Sequence, residues 1–285
     1  MLKKGLIVGL DVPTIGQATE VVEETHEVAD GFKIGFQLIY TMLNLMLGAR
    51  DEEEAIKNLR EARALFGFLP GKVFLDAKLH DISNTVLQAL LQILGMNVAM
   101  VNMHALGGKR MMLKAKEAIA QVFGDAEVSA DNRPGILAVT ILTDHDYESL
   151  VDLGLFAPLP ALADDTPENV KSALQRLKTE AMLAQVGRLA LLAKSAGLDG
   201  VIASPKETAM IRELCGPDFF IGNPGIRSLW SLVEGDDQKR VTTPKQAIEN
   251  GADAVIVSRP VVKKTAGMTR RQACERIKEE MASAA

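Results

Sequence analysis

Cysteine is scarce here: the 285 residues include two, Cys215 and Cys274, far apart and without metal-binding or redox spacing. That excludes a disulfide framework and suits a reducing cytoplasm. Tryptophan occurs once, aromatics make up 4%, and the net charge is -5 with no run of basic residues. A nucleic-acid-binding protein would carry a basic footprint, so that partner class is excluded. No apolar stretch is long enough to span a membrane. The segment Lys3-Lys4-Gly5-Leu6-Ile7-Val8-Gly9-Leu10 opens like a signal peptide, but Asp11 ends its apolar part too early. His26, His80, His104 and His145 have no metal-ligand spacing, and the twelve methionines read as core filler. Neither a metal site nor a cofactor is expected. A small anionic ligand stays open, because local cations decide that rather than net charge.

What is present is ordinary core material, 47% hydrophobic and 24% charged. It is arranged in short apolar runs that alternate with helical periodicity. The runs predict strands over 6–11, 31–35, 73–78, 97–104, 135–140, 198–203, 219–222 and 252–257. Helices are expected over 17–29, 37–47, 51–66, 85–94, 109–122, 179–196, 205–214, 244–250 and 269–283. Residues 147–178 break the rhythm with Pro158, Pro160, Pro167 and Asp164-Asp165. They read as an insertion with a short helix of its own, starting near Thr166. Strands alternating with helices argue for a parallel sheet, and eight units point to an α/β protein, a single (β/α)8 TIM barrel over 1–285. An open doubly wound sheet would carry a glycine-rich turn after strand one, and Asp11-Val12-Pro13-Thr14 is not one.

The strand ends carry the polar residues. Strand one ends at Asp11, two at Lys33, three at Asp76 and Lys78, four at Asn102 and His104, five at Thr140 and Thr143. In such a barrel these ends share one mouth, where active sites form. Alternate residues of a strand share a face, so Asp76 and Lys78 point the same way. Buried charge must be paired, solvated or employed. A salt bridge closing the mouth, with Asp81, Ser83 or Asn84 capping the next helix, is the plain alternative. Arg227 and Arg259, at the ends of strands seven and eight, together suit a phosphate dianion, with Gln238 on the loop between. From the residues alone the chain is a phosphate-binding barrel enzyme.

Leu10-Asp11, Phe32-Lys33-Ile34-Gly35, Leu75-Asp76-Ala77-Lys78-Leu79-His80-Asp81-Ile82-Ser83-Asn84-Thr85, Pro224-Gly225-Ile226-Arg227 and Ser258-Arg259-Pro260 together resemble the orotidine 5′-phosphate decarboxylase family. Asp-x-Lys-x-x-Asp is shared with other sugar-phosphate barrels; the Ile-x-Asn-Thr continuation, the separate Lys33 and the Pro-Gly-Ile-Arg loop narrow it. The resemblance runs from Asp11 to Pro260. It implies a cytoplasmic carboxy-lyase of pyrimidine nucleotide biosynthesis that makes uridine 5′-phosphate from a nucleoside monophosphate substrate without a cofactor. Lys33, Asp76, Lys78 and Asp81 would be catalytic. Asp11 and Lys33 would hold the ribose, Asp76 would face the substrate carboxylate, and Lys78 would protonate C6. Asp81 and Thr85 would reach the neighbouring site of a homodimer. Thr143, or else Thr140, would contact the base. Arg227, Gln238 and Arg259, with Ser258, would surround the phosphate.

Two departures from the family pattern stand out. Ser258 replaces a frequent glycine and Pro260 follows the last arginine, and residues 155–178 exceed compact members, as in a longer-chain branch. Two other enzyme readings share the motif: a metal-dependent sugar-phosphate decarboxylase or aldolase-like synthase, and a Schiff-base enzyme using Lys78 or Lys33. A non-catalytic nucleotide-binding barrel is the reading of another class.

Overall fold

The computed structural model describes residues 5–124, 128, 133–231, 242–263 and 267–284. Its centre is a closed parallel barrel in which each strand pairs with its sequence neighbours and the eighth with the first. The strands are β1 (Gly5–Gly9), β2 (Gly31–Ile34), β3 (Val73–Leu79), β4 (Met100–His104), β5 (Gly135–Val139), β6 (Gly200–Ile202), β7 (Phe220–Asn223) and β8 (Ala254–Val257). The expected (β/α)8 barrel is therefore the fold. Alternation explains its two cores. Ile7, Phe74, Met100, Leu137, Phe220 and Ile256 fill the barrel interior. Their neighbours, such as Leu6, Val8, Phe32 and Val101, face outward under the helices.

The outer layer comprises α1 (Ile15–Thr25), α2 (Phe36–Leu47), α3 (Glu52–Gly67), α4 (Ser83–Leu94), α5 (Gly108–Met112), α6 (Lys114–Phe123), α7 (Tyr147–Asp152), α8 (Glu168–Ser195), α9 (Thr208–Cys215), α10 (Pro244–Glu249), α11 (Arg259–Val262) and α12 (Arg270–Ala282). Local chemistry sets several starts. Thr14 and Asp51 accept from the backbone of Gln17 and Glu54, and Thr243 and Thr269 form capping boxes with Gln246 and Gln272. The helix expected over 109–122 is split into α5 and α6, and α4 begins at Ser83 rather than Thr85.

The largest departure concerns 147–196. The helical start at Pro167 does not belong to a separate short helix; it opens α8, which runs unbroken through the expected 179–196 helix. Only its second half, around Val186, Leu189, Ala190 and Ala193, is buried. The first half carries α7, whose Tyr147 ring lies under Lys178 Nζ at 5.7 Å and whose Glu148 pairs with that lysine. Tyr147 also donates its hydroxyl to the Ala157 carbonyl at 2.8 Å.

Both cysteines are buried free thiols. Among the described residues no helix is long and apolar enough to cross a membrane. On the outside of β3, an apolar groove of about 710 Å³ is lined by Phe36, Tyr40, Met42, Leu75, Ala77 and Met96. One side of it is α2, which buries little beyond Leu38.

Candidate active site

Four of the expected residues meet at the C-terminal mouth of the barrel. Asp76 is their hub and is 7% exposed. Its Oδ1 accepts from Lys78 Nζ at 2.7 Å and from Asn102 Nδ2 at 2.7 Å. Its Oδ2 faces Lys33 Nζ at 3.2 Å, and Lys33 reaches Asp11 Oδ1 at 3.0 Å. The result is an alternating row, Asp11–Lys33–Asp76–Lys78, drawn from β1, β2 and β3.

The backbone permits this row to close. A side-chain carbon at Gly35 would come within 3.2 Å of Lys33 Nζ and 3.8 Å of Asp76 Oδ2. One at Gly9 would lie 3.0 Å from Asp11 Oδ2 and 3.1 Å from the Ser258 side chain. Glycine at these two strand ends therefore lets the β8 end and the charged row approach each other.

Electrostatics keep the two central groups, Lys33 and Asp76, ionised. Burial opposes the charge on Lys33, yet Asp76 and then Asp11 outweigh it and hold the ammonium above the usual lysine range. Burial likewise opposes ionisation of Asp76, but Lys33, Lys78 and the Asn102 amide hold its carboxyl below the usual range. A buried carboxylate between two ammonium groups has two chemical uses. It repels an anion brought against it, and it holds a neighbouring ammonium, here that of Lys78, in place.

The strand itself departs from regular geometry at Lys78. Pairing of β3 with β4 shifts between Leu75 and Leu79, and Lys78 has φ +43°, a left-handed value for a non-glycine residue. Asp76 and Lys78 do share the mouth, but through this irregularity rather than through plain alternation.

The remaining expected residues lie outside this charged row. Asp81 is exposed and accepts from the Ile82 backbone at 2.6 Å, not from Lys78, and Thr85 is exposed on the first turn of α4. Beside them Ile82 is 76% exposed. Thr143 is exposed on the turn after β5, whereas Thr140 is fully buried with its hydroxyl 3.4 Å from the Ile202 carbonyl. Arg227 is 6% exposed just after β7, and Arg259 opens α11 directly after β8. Pro260 belongs to that first helical turn, a position where its missing N–H costs nothing. Gln238 lies outside the described residues.

Two residues just after strand ends carry no signal in the sequence beyond their position. The Phe36 ring lies 5.6 Å from Lys78 Nζ, within cation–π range. Its signal was position alone, at the start of the helix following Gly35. Glu207 follows β6, accepts from Ser204 N–H at 3.1 Å, and is pushed up to about 7 by burial. A carboxylate five residues past a strand end gives no cue in sequence. Among the described residues, no group of three His, Cys, Asp or Glu side chains is arranged to hold a metal ion.

The chain is similar to known proteins along nearly its whole length. Residues 4–277 match the orotidine 5′-phosphate decarboxylase / HUMPS family. An orotidine 5′-phosphate decarboxylase of Syntrophotalea carbinolica is 38% identical over 282 residues, covering 99% of this chain and 96% of its own. One from Carboxydothermus hydrogenoformans is 38% identical over 280 residues, covering 98% and 97%. The crystal structure of orotidine 5′-phosphate decarboxylase from Lactobacillus acidophilus superposes with a TM-score of 0.65 at 28% identity, covering 98% of this chain and 99% of that one.

Proposed function

The chain belongs to the orotidine 5′-phosphate decarboxylase / HUMPS family, and from that premise we propose that it decarboxylates orotidine 5′-phosphate to uridine 5′-phosphate and carbon dioxide, a step of pyrimidine nucleotide biosynthesis, in the cytoplasm. The observation that carries this is the alternating Asp11–Lys33–Asp76–Lys78 row at the barrel mouth. Loss of carbon dioxide from C6 leaves a carbanion with no adjacent carbonyl to absorb its charge. Many decarboxylases borrow an electron sink for that purpose. Here the sink is replaced by a fixed cation, the Lys78 ammonium, facing the developing charge.

In this reading the C6–carboxylate bond breaks with its electron pair left on C6. Lys78 then gives a proton to that carbon and becomes the neutral amine. Asp76 lies against the leaving carboxylate and disfavours the bound ground state. Asp11 and Lys33 hold the ribose hydroxyls, and Thr143, the accessible one of the two threonines, meets the base. Arg227 and Arg259, with Ser258 and Gln238, take the phosphate. Binding energy from that remote end is then available at C6. No cofactor takes part. The test is stoichiometric: one uridine 5′-phosphate and one carbon dioxide per orotidine 5′-phosphate consumed. Turnover of a sugar phosphate with added magnesium instead would assign the chain to the metal-dependent branch of these barrels.

The reading extends to a homodimer. Asp81 and Thr85 are exposed beside Ile82, close in sequence to Lys78 yet outside its own network. The apolar α2 groove gives a second copy something to cover. Asp81 then completes the partner's row. Mixing inactive Lys78→Ala with inactive Asp81→Asn chains is expected to restore about a quarter of wild-type activity. Half of the random dimers are mixed, and each mixed dimer holds one intact site. No recovery on mixing would place Asp81 in its own chain's chemistry.

A further inference from the structure

Lys78 sits on a backbone that an ordinary strand does not adopt. It is one of two non-glycine residues with positive φ among the described residues, and it falls where β3–β4 pairing lapses. A left-handed residue with a side chain persists only where its surroundings over-determine it. Upstream the hold is clear: Asn102 Oδ1 accepts the Lys78 N–H at 2.7 Å.

Downstream the hold is a pair of rings. Pairing resumes at Leu79 opposite Met103, and the next residue, His80, places its ring 5.5 Å from that of His104 at an interplanar angle of 35°. His80 also packs on the turn Ala105–Gly107, since a side-chain carbon at Gly107 would come within 3.3 Å of His80 Cδ2. Asn102 and His104 lie two apart on β4 and share its mouth-facing side. Both holds on the Lys78 segment thus come from one strand.

The rings are suited to stacking. Burial, then His80, Lys78 and His145, with Asp76 opposing, keep His104 below the usual imidazole range. A neutral ring meets His80 without like-charge repulsion. His104 Nδ1 and His145 Nδ1 are buried without a hydrogen-bond partner. The contact shown for the His104 ring is its packing against His80.

We propose that His80 and His104 are a positioning pair, whose packed, mutually tilted rings lock the left-handed backbone of Lys78 and so aim its ammonium at the reacting carbon. This rests on Lys78 being the proton donor. Without the stack the end of β3 relaxes toward an ordinary extended strand, and the Lys78 side chain is no longer delivered beside Asp76. The phosphate end, at Arg227 and Arg259, does not sense that change, so the effect falls on kcat and not on KM.

The experiment measures kcat and KM for orotidine 5′-phosphate in His104→Ala, His104→Phe, His80→Ala and Lys78→Ala. His104→Ala is expected to lose kcat by about 10- to 100-fold, the cost of a misplacement near 1 Å, with KM within about threefold. His104→Phe keeps a ring to stack on His80 and is expected to recover kcat to within about threefold of wild type. His80 is exposed, so His80→Ala reads the other half of the pair if His104→Ala does not fold. Wild-type kcat in both alanine variants, equal losses in His104→Ala and His104→Phe, or a loss confined to KM would overturn the pair. An inactive Lys78→Ala beside a fully active His104→Ala overturns the pair alone. An active Lys78→Ala overturns the role of Lys78 and the pair with it.

Discussion

Replacing Lys78 by alanine is expected to lower kcat for orotidine 5′-phosphate by at least about 10⁴-fold while the barrel stays folded. Two effects are removed at once. General-acid proton delivery contributes about 10²- to 10⁴-fold, and a preorganised charge facing a developing anion about 10²- to 10³-fold. Nothing else in the described row can take over, because Lys33 is engaged by Asp11 and Asp76 on the far side of the hub. The fold should tolerate the change. Lys78 is half-buried and no part of either core, and Asp76 keeps Lys33 and Asn102 as partners. Circular dichroism and binding of uridine 5′-phosphate check this: both should match wild type while turnover is lost. Turnover within about tenfold of wild type would remove Lys78 from the chemistry.

Asp76→Asn is the second large effect, expected to lower kcat by about 10²- to 10⁴-fold with KM unchanged or reduced. The sign of the KM change is the informative part. Asp76 accepts from Lys78, and in the proposed mechanism it repels the substrate's carboxylate. An asparagine of the same shape removes the negative charge behind both actions, so chemistry is expected to slow while the carboxylate is no longer opposed. Affinity for uridine 5′-phosphate, which lacks that carboxylate, should not improve. The variant should also lose about 1–3 kcal/mol of stability. That is less than breaking a fully buried pair, because both lysines retain some solvent contact. A raised KM with unchanged kcat would make Asp76 a binding residue only.

The barrel was legible because its strands end abruptly in charge. Apolar runs such as Leu6–Leu10 and Val73–Leu75 stop at Asp11 and Asp76, and those carboxylates do stand at the mouth. The gathering of Asp11, Lys33 and Asp76 follows from parallel strands in register, which the alternating pattern already implied, whereas Lys78 joins them through the break in β3–β4 pairing. What sequence could not give were contacts that depend on where strands slip. The positive φ of Lys78 has no glycine to announce it, and the His80–His104 stack exists only because pairing resumes at Leu79 and Met103. The Phe36 ring reaches Lys78 across two elements. Helix α8 was misread for a different reason. Its first half meets little of the barrel, so no single apolar stripe runs through it, and its continuity is invisible to periodicity.

The most direct measurement is the rate of orotidine 5′-phosphate consumption by the purified chain before and after exhaustive dialysis against a chelator, read as loss of the orotate absorbance. Conversion to uridine 5′-phosphate is expected at the same rate in both samples, because in the proposed mechanism Lys78 and Asp76 supply the charge stabilisation themselves. Conversion that disappears with the chelator and returns with magnesium, or no conversion by a folded protein, would contradict it.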